Sequence, residues 1–290
     1  MRQAARVLHA KGVEVELAPT EAPAMAQDLA QAAAQRGLDM VLVCGGDGTI
    51  NEVINGLAPS PIPLGILPGG TANILAKELG LPHNPVCAAR HLPDWSPRRI
   101  ALGRARWVGA QSPPKNGHRT GDECYRYYAS VAGIGYDAHV VYKLSSRLKE
   151  QFGVAGYVLE AFRQLVKYSF PRFSWRLDGH ERSSTFAVVH RTRLYAGWLH
   201  LAPSADLFSP RFAVCSFPSR SRVRYLFYAL AVLARQHLRL SDVTLQQGAP
   251  VDCVPGDASA PVRFELDGEL VGTLPVSFDI VPDALTLLVP

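Results

Sequence analysis

The first hundred residues switch repeatedly between a helical and an extended pattern of apolar positions. Arg2 to Ala10 reads as a short helix stopped by Gly12. Val13, Val15 and Leu17 alternate with Glu14 and Glu16, which predicts an edge-like strand. Pro23 to Gln35 is alanine-rich, with Met25 and Leu29 four apart and Gly37 where a helix C-cap belongs. Met40 to Cys44 is wholly apolar, as a parallel strand covered on both faces would be. Ile50, Val53, Ile54 and Leu57 then follow helical spacing, Leu64 to Leu67 is a second apolar strand, and Asn73 to Leu79 is a helix closed by Gly80. Alternating strands and helices predict a parallel sheet with covering helices.

The pattern changes near Trp95-Ser96-Pro97. Beyond it, short β-rich runs dominate: Tyr125 to Ala132, Phe173 to Leu177, Thr185 to His190, Phe212 to Phe217, Val262 to Leu266, Val276 to Ile280 and Leu285 to Val289. Helical patterns interrupt them over Gly153 to Tyr168 and Val223 to Leu238. Strands punctuated by Asp-Gly and proline predict an antiparallel sandwich. Gln111 to Asp122 reads as a mobile surface loop within it.

Composition adds bounds. The 290 residues suffice for two domains, and 48% hydrophobic with 19% charged residues describes a globular chain. The net charge of +5 suits anionic partners, whether nucleotides, acidic lipid surfaces or nucleic acid, without choosing among them. The cysteines (Cys44, Cys87, Cys124, Cys215 and Cys253) are odd in number and widely spaced, so a disulfide framework or structural zinc site is not expected. A reducing cytoplasm is the simplest setting for such cysteines, and Met1 to Ala5 lacks the apolar run of a signal peptide. The most membrane-like stretch, Tyr225 to Ala234, falls short of the about 20 apolar residues that span a bilayer.

The sharpest chemical feature is Gly45-Gly46-Asp47-Gly48-Thr49, between a buried strand and a helix. Glycines there bring bare N–H groups close to a ligand, and the helix N-terminus favours an anion, most often phosphate. A bare tight turn is the alternative. Asp47 would repel a phosphate directly, so a magnesium ion or a hydrogen-bonding role within the turn is implied. Pro68-Gly69-Gly70-Thr71-Ala72-Asn73 repeats the logic after the next strand, although Thr71 alone reads equally well as an N-cap. Two such turns on neighbouring strands favour one shared nucleotide. Asp267-Gly268, like Asp178-Gly179, is by itself a type I′ hairpin signal.

Gly45 to Leu57 (GGDGTINEVINGL) followed by Leu64 to Pro82 (LGILPGGTANILAKELGLP) closely resembles the diacylglycerol kinase catalytic-domain family, which includes bacterial lipid kinases and the sphingosine and ceramide kinases. Ala132 to Ala138, Tyr195 to Trp198, Leu201 to Ala205 and Phe264 to Glu269 are similar to later motifs, so the resemblance covers essentially the whole chain. It implies an α/β nucleotide-binding domain (1–97) with a parallel sheet, a β-sandwich lipid-substrate domain (98–290) and an active site in the cleft between them. It implies ATP with Mg2+, held by Gly45, Gly46, Asp47, Gly48, Thr49, Glu52, Gly70, Thr71 and Asn73. Asp267 would be the general base, with Glu269 in support. The acceptor would be a lipid hydroxyl, diacylglycerol by default, and no nucleic acid is expected.

Two departures from the family pattern stand out. The usual opening strand and its asparagine-proline-x-serine-glycine turn are not seen, so a non-catalytic binding homologue is an alternative. An NAD-kinase-like enzyme is another, opposed by the proline–GT–asparagine element and the closing Asp267-Gly268-Glu269. Second, Asp206 to Arg211 lacks the aspartate–glycine pair that supports a structural magnesium in many bacterial members, so that metal is expected to be absent. The helix near Val223 to Leu238, flanked by Arg220, Arg222, Arg224, Arg235 and Arg239, is read as packed against its own domain. Peripheral contact with an anionic membrane is the other reading.

Overall fold

The computed structural model of the chain describes residues 1–108, 116–144, 146–256 and 260–290. The N-terminal part runs α1 (Arg2–Ala10), α2 (Met25–Arg36), β1 (Val41–Gly45), α3 (Asp47–Leu57), β2 (Pro63–Pro68), α4 (Ile74–Glu78) and α5 (Pro85–His91). Then follow β3 (Ser96–Val108), β4 (His118–Thr120), β5 (Glu123–Tyr128), β6 (Val131–Gly135), α6 (Tyr136–Lys143), α7 (Ser146–Lys167), β7 (Phe173–Leu177), β8 (His180–Ser184) and β9 (Phe186–His190). The chain closes with β10 (Leu194–Tyr195), β11 (Leu199–His200), β12 (Phe212–Phe217), α8 (Arg222–Leu233), β13 (Thr244–Gly248), β14 (Val251–Pro255), β15 (Arg263–Leu266), β16 (Glu269–Thr273) and β17 (Val276–Val289). The expected loop at Gln111 to Asp122 lies outside the described residues over 111–115.

The architecture is α/β joined to an antiparallel β-sandwich, as the patterning predicts. β1 and β2 pair in parallel, from Val41 opposite Leu64 to Gly45 opposite Pro68. The sandwich faces a sheet ordered β13-β12-β9-β6-β15-β16 against one containing β5, β3, β17, β14 and β7. Phe173, Trp175, Phe212, Phe264 and Phe278 fill the space between them. Burial of such aromatic and aliphatic side chains contributes about 1.5–3 kcal/mol each.

The runs Val276 to Ile280 and Leu285 to Val289 form one strand, not two. β17 pairs with β3 along its length, with a register shift between Val281 and Leu285. Its end also pairs in parallel with β2, Thr286 opposite Pro63. Leu285, Leu287 and Val289 thereby enter the core under α3 and β2, and the two domains share a sheet. Conversely, Tyr125 to Ala132 is two strands, broken at Ala129 and Ser130.

Val13 to Leu17 is not a strand. Val13 and Val15 rest half-buried on the N-terminal core, and Glu16 pairs with Arg36 at 2.7 Å. The alternation is satisfied by one-sided apolar contact with no backbone ladder. Helix α8 packs by Tyr225, Tyr228 and Val232. Val223, Leu226, Phe227, Leu230 and Leu233 face outward.

The loop from Asp206 to Arg211 is gathered around a buried side chain, Arg191. One guanidinium nitrogen donates to the carbonyls of Ser209 (2.7 Å) and Arg211 (2.8 Å), the other to those of Ala101 (3.1 Å) and Leu207 (2.6 Å). A fixed side-chain cation thus engages the carbonyl oxygens of this loop. Replacing Arg191 with Met leaves buried acceptors unpaired and should lower stability by about 3 kcal/mol or more. Urea denaturation measures this, and a chelator should leave the wild-type midpoint unchanged.

Candidate active site

The parallel register of β1 and β2 makes their C-terminal turns leave the sheet side by side. The Gly69 N–H donates to the Gly45 carbonyl at 2.9 Å. A Cβ placed on Gly70 would lie 2.5 Å from the Gly46 Cα, so the backbones touch where a side chain would part them. Asn73 closes the second turn in the left-handed region, φ 47°. Its Oδ1 accepts from the Gly70 N–H (3.0 Å) and its Nδ2 donates to the Gly70 carbonyl (2.7 Å).

Asp47 joins the two turns. Its carboxylate accepts the N–H groups of Asn73 (2.9 Å) and Ile74 (2.7 Å). Burial pushes its pKa up, and these N–H groups oppose the shift. The like-charge conflict with phosphate is relieved by geometry, because the carboxylate is aimed at the second turn. The first N–H groups of α3 have no acceptor within the helix. Gly48 and Thr49 of that turn line a cavity of about 390 Å³ together with Gly46, Asp47 and Thr71. Glu52 is not brought there. It accepts the N–H groups of Ala24 (3.0 Å) and Ala26 (3.2 Å) and caps α2 from another element. Gly45, Gly70 and Asn73 shape the turns from behind the lining.

The opposite wall is the β15–β16 hairpin. Asp267 and Gly268 have φ of 49° and 81°, as a type I′ turn requires. Asp267 Oδ1 accepts the N–H groups of Ser130 (2.9 Å) and Val131 (3.0 Å). Oδ2 accepts the Ala129 N–H (3.1 Å) and the Asn51 amide of α3 (2.7 Å). Burial raises the Asp267 pKa, countered chiefly by the backbone donors and more weakly by Arg126. Glu269 receives the Arg126 guanidinium at 2.6 Å. It also reaches the first turn of α3, with Oε1 3.2 Å from where a Gly48 Cβ would stand. Arg126 Nε in turn donates to Asn51 Oδ1 at 3.0 Å.

Four cavity-lining side chains that are acids or tyrosines carried no assigned role in the sequence: Asp137, Tyr157, Tyr195 and Glu265. Asn51 and Arg126 were likewise missed. Asn51 and Asn55 form an i,i+4 polar stripe on a helix otherwise read by its apolar face, the one signal that could have marked them. Ile74, Val131, Val141, Leu144 and Ala196 make the inner lining apolar.

The family model for the diacylglycerol kinase catalytic domain matches residues 1–105, and that for the YegS C-terminal NAD kinase beta sandwich-like domain matches 130–289. A diacylglycerol kinase of Mycobacterium tuberculosis is 32% identical over 271 residues, covering 91% of this chain and 81% of the relative. The chain belongs to the diacylglycerol kinase family. As a member of that family it is a kinase. A diacylglycerol kinase of Bacillus subtilis is 28% identical, covering 92% of this chain and 83% of its own. A solved diacylglycerol kinase structure from Bacillus anthracis shares the fold, with TM-score 0.75 at 20% identity over 100% of this chain and 92% of that one.

Because the turns touch at Gly46 and Gly70, Gly70→Ala must push them apart. It should weaken nucleotide binding at least about tenfold, as an ångström-scale displacement of positioning groups does. Titration with a fluorescent ATP analogue checks this. Gly80→Ala, where a Cβ meets nothing but φ is 70°, serves as a strained control away from the cavity.

Proposed function

We propose that this kinase transfers the γ-phosphate of ATP to the hydroxyl of a lipid, diacylglycerol being the first acceptor to test. The carrying observation is one cavity with two contacting glycine turns on one wall, Asp267 on the other and an apolar interior. N–H groups of the α3 turn would receive the phosphates. The apolar lining suits acyl chains, and the family supplies the lipid acceptor class.

In the transfer, the lipid O–H gives its proton to Asp267 as the oxygen bonds to the γ-phosphorus, and the bond to the bridging oxygen breaks to release ADP. Of the four donors on Asp267 among the described residues, only Asn51 is a side chain. Its amide is the contact that yields to the reacting hydroxyl. Magnesium would neutralise the triphosphate. Among the described residues no group of three His, Cys, Asp or Glu side chains is arranged to hold a metal. That donor set fits an ion bound mostly by phosphate and water.

The acceptor would arrive from an anionic bilayer. Phe162 and Val166 of α7 and Val223, Phe227, Leu230 and Leu233 of α8 are exposed large apolar side chains. Arg163, Lys167, Arg220, Arg222, Arg235 and Arg239 are exposed around them. Apolar area ringed by cations matches an acidic lipid surface, and α7 also carries Tyr157 of the cavity lining. Among the described residues no helix is long and apolar enough to cross a membrane.

Asp267→Asn should lower kcat by about 10²–10⁴-fold with diacylglycerol in mixed micelles. A folded variant with unchanged turnover contradicts the base assignment, and equal turnover with NAD in place of lipid contradicts the acceptor class. Wild-type kcat should fall on the acid side as Asp267 protonates, with the limb above the ordinary carboxylate range because burial raises its pKa. Phe227→Asp with Leu230→Asp should abolish sedimentation with anionic vesicles and leave turnover in micelles. Equal sedimentation of both forms contradicts the membrane face.

A further inference from the structure

Asp137 and Glu265 form a second acidic centre in the cleft. Asp137 lies in the first turn of α6, and Glu265 lies on β15 opposite Gly133 of β6. Both side chains are buried, at 3% and 1% exposure. They converge over Gly133: a Cβ there would lie 1.9 Å from Asp137 Oδ2 and 2.6 Å from Glu265 Oε1. An oxygen of each carboxyl therefore faces the other across Gly133. Two carboxylates have no donor between them, so this contact requires a proton.

Donor counting places that proton. Glu265 Oε1 accepts the Gly133 N–H (2.8 Å), and Oε2 accepts the Gly268 N–H (2.6 Å). The hydroxyls of Tyr157 and Tyr195 both lie against Asp137 Oδ1, the latter at 2.6 Å, and 2.6 Å from each other. Asp137 Oδ2 is left facing Glu265, and as a hydroxyl it donates to it. Among the described residues the titratable groups facing the pair are Tyr136 of α6, Tyr157 of α7, Tyr195 of β10 and Asp267 at the end of β15. None of these is a cation. Burial pushes both carboxyls toward the protonated form.

We propose that Asp137 and Glu265 hold one proton between them and act as positioning residues, fixing the Asp267–Gly268 turn from behind through the Gly268 N–H. With the proton present, Glu265 keeps three donors and the turn is held. Without it, two adjacent carboxylates repel and Glu265 is driven off Gly268. The kinetic part rests on Asp267 as the base. The stability part does not.

The folded state binds a proton that the unfolded chain has released above the ordinary carboxylate range. Stability therefore falls as pH rises from that range through the raised pKa of the pair. Asp137→Asn supplies a permanent N–H donor in the same place. The experiment compares wild type, Asp137→Ala, Asp137→Asn and Glu265→Gln by Tm against pH and by kcat and KM against pH.

Asp137→Ala should lower kcat about 10²-fold with KM for ATP little changed, the cost of an ångström-scale misplacement. Asp137→Asn should restore most of that loss, flatten the Tm slope and remove the alkaline decline in kcat. Glu265→Gln should not rescue, because an amide nitrogen at either position meets a backbone N–H. A Tm slope in Asp137→Asn parallel to wild type overturns the proposal. So does an Asp137→Asn that fails to fold or behaves as Asp137→Ala, since the amide provides the donor the proton is held to provide. A flattened Tm slope with no kinetic change overturns only the positioning role. Loss of turnover in Asp267→Asn is independent of all these outcomes.

Discussion

The cleft depends on half-buried and buried carboxylates that serve as clamps for backbone N–H groups of distant segments. Asp267 holds three successive N–H groups of the β5–β6 break, Asp47 holds the start of α4, and Glu265 holds β6 and the hairpin turn. Each bond from a neutral donor to a charged acceptor is worth about 1.5–3 kcal/mol, and each leaves an expensive vacancy when one partner is removed. Segments far apart in sequence, Asn51 and Asp267 above all, are thereby fixed within hydrogen-bond reach. A site assembled this way has its donors in place before any substrate arrives, which is what phosphoryl transfer asks of a protein.

Strand β17 makes the arrangement one body. It crosses from the sandwich core to the core beneath the glycine turns, so the strands that lead into those turns share one hydrogen-bonded sheet with β3, β14 and β7 of the sandwich, whose opposing sheet carries the β15–β16 hairpin. The hairpin β10–β11 adds a second tie. Lys77 of α4 donates to the Gly197 carbonyl at 2.9 Å, and Arg193 pairs with Glu78 at 2.7 Å. The outward apolar face of α7 and α8 lies on the sandwich side.

The glycine turns were legible in the sequence because their chemistry is local: glycine where backbones touch, asparagine where φ is positive. Asp267-Gly268 was legible as a turn for the same reason. The break at Ala129 and Ser130 was not, since those residues leave the ladder to serve a carboxylate over a hundred residues away. Val13 to Leu17 alternated like a strand, yet alternation records only which side is apolar, and a backbone partner is a separate requirement. Glu52 sat inside a chemical motif and turned to cap α2. Asp137, Glu265 and Arg126 have meaning only through partners from other elements, so no local pattern could announce them. On α8 the sequence showed the right residues without the direction they face.

The most direct measurement follows the phosphate itself. Purified protein is given Mg2+, ATP labelled at the γ-phosphorus and diacylglycerol in mixed micelles, and the label is traced after organic extraction. Label in a phosphorylated lipid, dependent on protein and on the intact Asp267 carboxylate, is the predicted result. Label that stays with ATP, or passes only to water as inorganic phosphate while every lipid offered remains unlabelled, would contradict the account.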